Sequence, residues 1–213
     1  MSSPVNDRVP VMDVEARFGP QAVQLAMIRE ALDDVRTTTL VQVVSVTNDG
    51  GLEPVGLVDV QILVKRVDGA AQVMDAGIVY NVPYMRLQGG ANAIILDPQV
   101  GDIGIALMAD RDISSVKATK AAEAPGSNRK HDMADALYLG GVLNGVPQQY
   151  VRFTAGGIEV VSPTKVTVKA PDVALIGNVA ASGGTFTHNG VNVGAKHVHS
   201  GVQAGSAQTQ PPQ

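Results

Sequence analysis

The chain has 213 residues, a formal net charge of −4, 45% hydrophobic but only 3% aromatic residues, and no cysteine. That length suits one large or two small domains, and with no long basic run the electrostatic footprint of a nucleic-acid binder is missing. The lack of thiols excludes disulfides and thiolate metal sites, leaving His, Asp and Glu as side-chain ligands.

Scarce aromatics beside 23 Gly and many Val, Ala and Thr favour narrow, repetitive β structure over a wide core. Residues 1–7 lack the charged-then-apolar pattern of a cleaved leader. No stretch approaches the ~20 apolar residues that span a bilayer. The expectation is a protein made in the cytoplasm, not exported by a leader and not integral to a membrane.

Residues 1–19 show no clear pattern. Over 20–35, Leu25, Ile28, Leu32 and Val35 recur at spacings of three and four, which predicts a helix with Pro20 in its first turn. Nothing chemical sits on it, so packing or oligomer contact is its expected role. From Thr37 the period drops to two and β-branched residues take over. Strands are predicted at 38–47, 57–67 and 72–82, with shorter ones around 85–87, 93–96 and 103–108. Asn48-Asp49-Gly50-Gly51 and Asp68-Gly69 supply turns. Short strands with regular turns argue for a small antiparallel barrel, and a five-stranded barrel of the oligonucleotide/oligosaccharide-binding (OB) type fits residues 38–110.

Residues 110–131 are polar and broken by Pro125-Gly126-Ser127-Asn128, so an exposed loop that orders against a partner is expected. Short strands resume around 136–139 and 150–153. The predicted division is an N-terminal segment with a helix (1–36), the barrel (37–110) and a loop with connecting strands (111–156). Two C-terminal parts follow, 157–185 and 186–213.

From Gly157, Ile158, Val160, Val166 and Val168 alternate with polar residues. At Pro171-Asp172 the apolar parity flips to Val173, Leu175 and Val179. This Gly-punctuated tail offers no strand partner by turn chemistry. Three intertwined chains would cover edges that otherwise invite aggregation. In an extended strand Val191, Val193, Ala195, His197 and His199 share a face. On a threefold axis, six imidazoles would converge there and favour octahedral coordination, which fits iron or nickel better than tetrahedral zinc. The alternative is a solvated pair that binds metal adventitiously. His188 has the opposite parity and is expected at the surface or in a turn. His131, beside Asp132, has no nearby nucleophile to serve as an acid or base. Turn chemistry accounts for Asp97 and Asp102; nothing specific makes these or Asp110 and Asp112 a glycosidase pair. Gly89-Gly90 and Gly140-Gly141 open no helix, so phosphate loops are not indicated.

Several stretches carry a family resemblance. Asn81-Val82-Pro83-Tyr84-Met85-Arg86-Leu87-Gln88-Gly89-Gly90 and Asp97-Pro98-Gln99-Val100-Gly101-Asp102-Ile103-Gly104 resemble the N-terminal barrel of phage baseplate central-spike proteins. Asp110-Arg111-Asp112-Ile113-Ser114-Ser115, Asp132-Met133-Ala134-Asp135 and Leu139-Gly140-Gly141 do so too. Thr187-His188-Asn189-Gly190-Val191-Asn192-Val193-Gly194 and His197-Val198-His199 resemble that family's spike tip. The similarity covers about residues 37–205.

It implies a mainly β homotrimer with an OB-fold-like barrel, a triple-stranded β-helix over 157–185 and a metal-capped apex over 186–213. In the family, apex histidines from three chains hold one structural iron ion, a role that falls on His197 and His199. The implied partners are a baseplate or tail-tube hub protein and the host outer membrane, which is pierced when the sheath contracts. No nucleic acid or small-molecule substrate is expected, and no lysozyme domain fits between barrel and needle. The implied location is the baseplate tip of a virion tail, after synthesis in the host cytoplasm.

Alternatives are the spike of a phage-tail-like secretion or injection device, and an iron-dependent β-barrel enzyme using the His pair. The enzyme needs a third ligand, typically a carboxylate, and none has a strand-compatible spacing near 197–199. A glycan- or receptor-binding module would need exposed aromatics, for which the tyrosines are Tyr80, Tyr84, Tyr138 and Tyr150.

Overall fold

The structure, a computed structural model, describes residues 19–33, 35–48, 50–52, 56–67, 71–194 and Gly205. Asp49, the Asp68-Gly69 turn, Ala195, His197 and His199 lie outside the described residues. The chain divides into two units, Met1–Pro147 and Gln148–Gln213.

In the first unit, helix α1 (Pro20–Asp33) matches the predicted helix to within two residues. It starts as the Val23 amide bonds the Gly19 carbonyl at 3.2 Å, with Pro20 in the first turn, where a missing N–H costs nothing. Strands β1 (Thr38–Val46) and β2 (Leu57–Ile62) follow. The second predicted strand does not run on to Val67. Beyond Leu63, whose amide still donates to the Leu40 carbonyl of β1 at 3.0 Å, the chain leaves the main sheet, and β3 (Arg66–Val67) pairs with β4 (Val73–Met74) as a separate ribbon. The third is likewise split. Gly77, at φ 76°, separates β4 from β5 (Ile78–Pro83), because a positive φ breaks the extended conformation and suits glycine. The remaining strands of this unit are β6 (Leu87–Gly89), β7 (Asn92–Ile94), β8 (Ile103–Met108) and β9 (Ala136–Gly141).

The main sheet is antiparallel with order β5-β2-β1-β8-β9. Its fifth strand, β9, comes from beyond the span 37–110 that the sequence assigned to the barrel. Period-two burial places Val41 and Val43 of β1, Val58, Val60 and Ile62 of β2, Val82 of β5, Ala106 of β8 and Ala136 and Tyr138 of β9 in one core. Alternate residues point to one face of a strand, so the other face stays open to water. The pairing register shifts between Val43 and Ser45, between Val58 and Val60 and between Gly104 and Ala106. Irregularities of this kind bend and twist a sheet, and the sheet curls into a half-barrel whose two edges touch at one point. A parallel bridge joins Tyr84, just past β5, to Tyr138 of β9. There the Met85 amide donates to the Tyr138 carbonyl at 2.8 Å.

Two glycines make room for the two buried tyrosines. A Cβ on Gly56 would collide with the Tyr84 ring, and one on Gly104 with the Tyr138 ring and the Gly140 carbonyl. The polar tract after β8 is less loose than its composition suggests. It contains the short helix α2 (Ser114–Thr119) and is tied to the barrel through two buried aspartates described below.

In the second unit, β10 (Tyr150–Thr154) and β11 (Gly157–Val161) form one hairpin, and β12 (Thr187–His188) and β13 (Val191–Asn192) a second, smaller one. Among the described residues, none from 162 to 186 lies in a strand or helix.

Candidate functional site

The geometry nearest the predicted histidine pair is the β12–β13 hairpin. Asn189 and Gly190 at its tip have φ of 49° and 79°, the two positive values that a tight primed turn demands and that Asn-Gly supplies. His188 is exposed, as its parity predicts, with Nε2 3.2 Å from Asn189 Nδ2. The alternation from Val191 is interrupted. Strand β13 stops at Asn192, and the Asn192 side-chain oxygen accepts the Gly194 amide at 2.9 Å. This local turn competes with an extended backbone. The Val193 amide returns to the Phe186 carbonyl at 2.8 Å, closing the hairpin base. His197 and His199 follow outside the described residues. Among the described residues, no group of three or more His, Asp or Glu side chains could hold a metal ion.

The rest of the second unit has an unusual surface. In the first hairpin, Val151 pairs with Val160 and Phe153 with Ile158, so all four share a face, and all four are exposed. The opposite face carries Arg152 and Glu159, ion-paired at 2.6 Å. From 162 to 186 the chain continues without a ladder. Val166, Val168, Val173, Leu175, Ile176 and Val179 along it are between 55% and 99% exposed. Apolar side chains repeated along a backbone without strand pairing form a surface that a monomeric protein rarely leaves in water.

The first unit holds two polar clusters. Arg86 and Asp97 form an ion pair at 2.7 Å, each side chain less than a tenth exposed. Asp97 also accepts the Tyr84 hydroxyl and the Gly50 amide. Turn chemistry therefore does not explain Asp97; hydrogen bonding to a buried arginine and tyrosine does. Burial pushes its pKa up, but the bonds from Tyr84, Arg86 and Gly50 outweigh that and hold it below the usual carboxylate range. Burial, then the Asp97 bond, raises the Tyr84 hydroxyl above its ordinary value. Asp102 does behave as turn chemistry predicts, accepting the Gln99 amide at 2.8 Å.

In the second cluster Asp112 accepts the Ser127 hydroxyl at 2.6 Å and the Ser114 amide at 2.8 Å. Arg129 reaches Asp112 at 3.0 Å and Asp135 at 3.2 Å, and Asp135 also accepts the Ile113 amide. The Ser114 and Ser127 side chains, then the Ser114 amide, hold the Asp112 carboxyl far below its usual range. Both clusters are internally satisfied. They fasten the β6–β7 ribbon and the polar tract to the barrel.

Sequence reasoning missed both. A signal existed for the first: Arg86 and Asp97 flank the β6–β7 hairpin, whose register pairs Leu87 with Ile94, so closing that turn brings them together. His131 adopts φ 50°. With Arg36, Lys130, Asp132 and Met133 it lines an open pocket of about 370 Å³. Of the tyrosines available to a glycan-binding module, Tyr84 and Tyr138 are buried in the core, while Tyr80 is exposed.

Residues 195–213, which include His197 and His199, match the GpV Apex motif. By its description the motif is the apex of a gpV-type spike, which points to a phage tail baseplate component. No curated protein matches the chain. No described helix is long and apolar enough to cross a membrane.

Proposed function

We propose that this chain is the subunit of a homotrimeric central spike in a contractile phage-tail baseplate, a non-enzymatic needle driven through the host outer membrane when the sheath contracts. The observation that carries this is the match of residues 195–213 to the GpV Apex motif. The exposed apolar side chains of 158–193 support it. Wound as a triple-stranded β-helix, three tails would bury these side chains against one another at ~25 cal/mol per Å², while interchain ladders pair the open backbone. The strand order β5-β2-β1-β8-β9, with its edges joined at Tyr84 and Tyr138, supports an OB-type barrel in the first unit.

At the tip, His197 and His199 of three chains would hold one iron ion. Imidazole suits late first-row divalent metals, and six nitrogens suit an octahedral site. With six protein ligands no position is open to substrate, so the ion closes the structure and does no chemistry. A needle frays first at its end, where few residues remain to pack. Cross-linking three chains at that point lets axial load pass into the β-helix.

Metal analysis of the purified protein tests this. One iron per three chains is expected, falling to background in the His197→Ala/His199→Ala double variant. Retention of metal by that variant, or one metal per chain, contradicts the assignment.

A further inference from the structure

Helix α1 turns its apolar side chains to solvent. Val23, Leu25, Met27, Ile28 and Leu32 are between 40% and 64% exposed. Val35 follows one step on, its amide bonded to the Leu32 carbonyl at 3.1 Å, and it too is 42% exposed. A helix made to pack on its own barrel would bury such a stripe.

The spacing indicates what covers it. Within α1, Leu25, Ile28 and Leu32 follow steps of three and four, the seam of a heptad repeat, with Leu at both a positions and Ile at the d position between them. Leu at a with Ile at d shifts coiled coils away from two strands toward three or four. The g positions flanking the seam are Gln24 and Ala31, which are neutral, so Arg29 at e meets no like charge from a neighbouring copy. Glu30 falls at f, on the outer face. The seam is thus suited to identical copies of itself in a number greater than two.

We infer that α1 is a second trimerisation element: three copies of this chain pack α1 in parallel around the Leu25–Ile28–Leu32 seam, at the opposite end of the sequence from the apex motif. The inference rests on the threefold assembly proposed above. A helix of 14 residues is close to the ~12–15 below which isolated helices are marginal, so α1 needs its partners held nearby. Three chains already joined by their tails place the helices at an effective concentration on the order of mM. The tails also select three strands over four.

The chain has no cysteine, so one introduced thiol is an unambiguous reporter. Ile28→Cys places a thiol in the seam and Glu30→Cys places one outside it, both on an exposed helix where folding is not at risk. Each full-length variant is oxidised mildly at low concentration, run on a non-reducing gel, and weighed by native mass spectrometry. In a parallel bundle one disulfide uses two of three seam thiols, so about two thirds of Ile28→Cys chains become covalent dimers. Thiols at the outer position lie beyond the ~7 Å Cα limit for bridging, and Glu30→Cys should cross-link at least about tenfold more slowly. A trimeric mass with equal cross-linking in the two variants overturns the helix inference and leaves the spike standing. A monomeric mass overturns both.

Discussion

The barrel and the tail are built from much the same side chains and treat them in opposite ways. In the barrel, Val41, Val43, Val58, Val60 and Val82 are each at most 1% exposed. In the tail, Val166, Val168, Val173 and Val179 are more than half exposed. Hydrophobicity alone therefore does not decide burial here. What differs is whether the chain supplies its own pairing strands. Five strands of the barrel hydrogen-bond in one curled sheet, so the backbone is satisfied and the inward face closes on itself. The tail pairs in two short hairpins, and the 162–186 stretch between them has no strand neighbour. In the proposed trimer a region of that kind is a half-finished core that the other chains would complete.

This contrast can be broken most forcefully at the barrel core. Tyr138 is 1% exposed, and Tyr138→Ala should cost about 3–5 kcal/mol, read from denaturant unfolding of the barrel. Gly104→Ala pushes a methyl group into the same ring and into the Gly140 carbonyl. Overpacking of this kind costs about 1–3 kcal/mol in the same measurement. A barrel that tolerated both would not be the self-sufficient unit described.

Acid probes the barrel in another way. The Asp112 and Asp97 carboxyls are both held below their ordinary values in the fold. Each adds stability that is complete above the unfolded value, near 3.9, and is lost as pH falls through the folded one. The barrel's melting temperature should drop on acidification below about pH 4. Asp112→Asn, which cannot titrate, should lower stability at pH 7 and make that acid limb shallower. An unchanged limb would mean that Asp112 contributes no pH dependence. In the tail, Val168→Asp should shift barrel unfolding by no more than about 0.5 kcal/mol, yet weaken association of the chains in sedimentation. A large loss of barrel stability from that change would erase the distinction between the two regions.

Local periodicity made the elements legible and left their partners obscure. The 3–4 spacing from Leu25 to Val35 located α1, and period-two runs located β1 and the start of β2. The predicted second and third strands were too long, because Leu63-Val64 extend the apolar run past the end of β2 at Ile62, and because Gly77 marks a break and not a mid-strand glycine. The barrel's last strand was placed too early. Its identity depends on β8 needing a neighbour on its free edge, a requirement of the sheet that no local pattern in 136–141 announces. The same holds for the buried charges. Asp97 looks like turn chemistry beside Pro98 until the β6–β7 hairpin carries Arg86 to it. For the proposed apex, residue type and parity singled out His197 and His199, but the bend at Gly194 interrupts the simple alternation that parity assumed.

The number of chains in the assembled protein bears most directly on the central claim, that the tail's apolar side chains are the core of a threefold needle. Sedimentation equilibrium of the purified full-length chain, across a wide range of dilution, measures it without labels or partners. A mass three times that of the chain, held on dilution and reduced by Val168→Asp, is the result predicted. A stable monomer, with those side chains left in water, would contradict it.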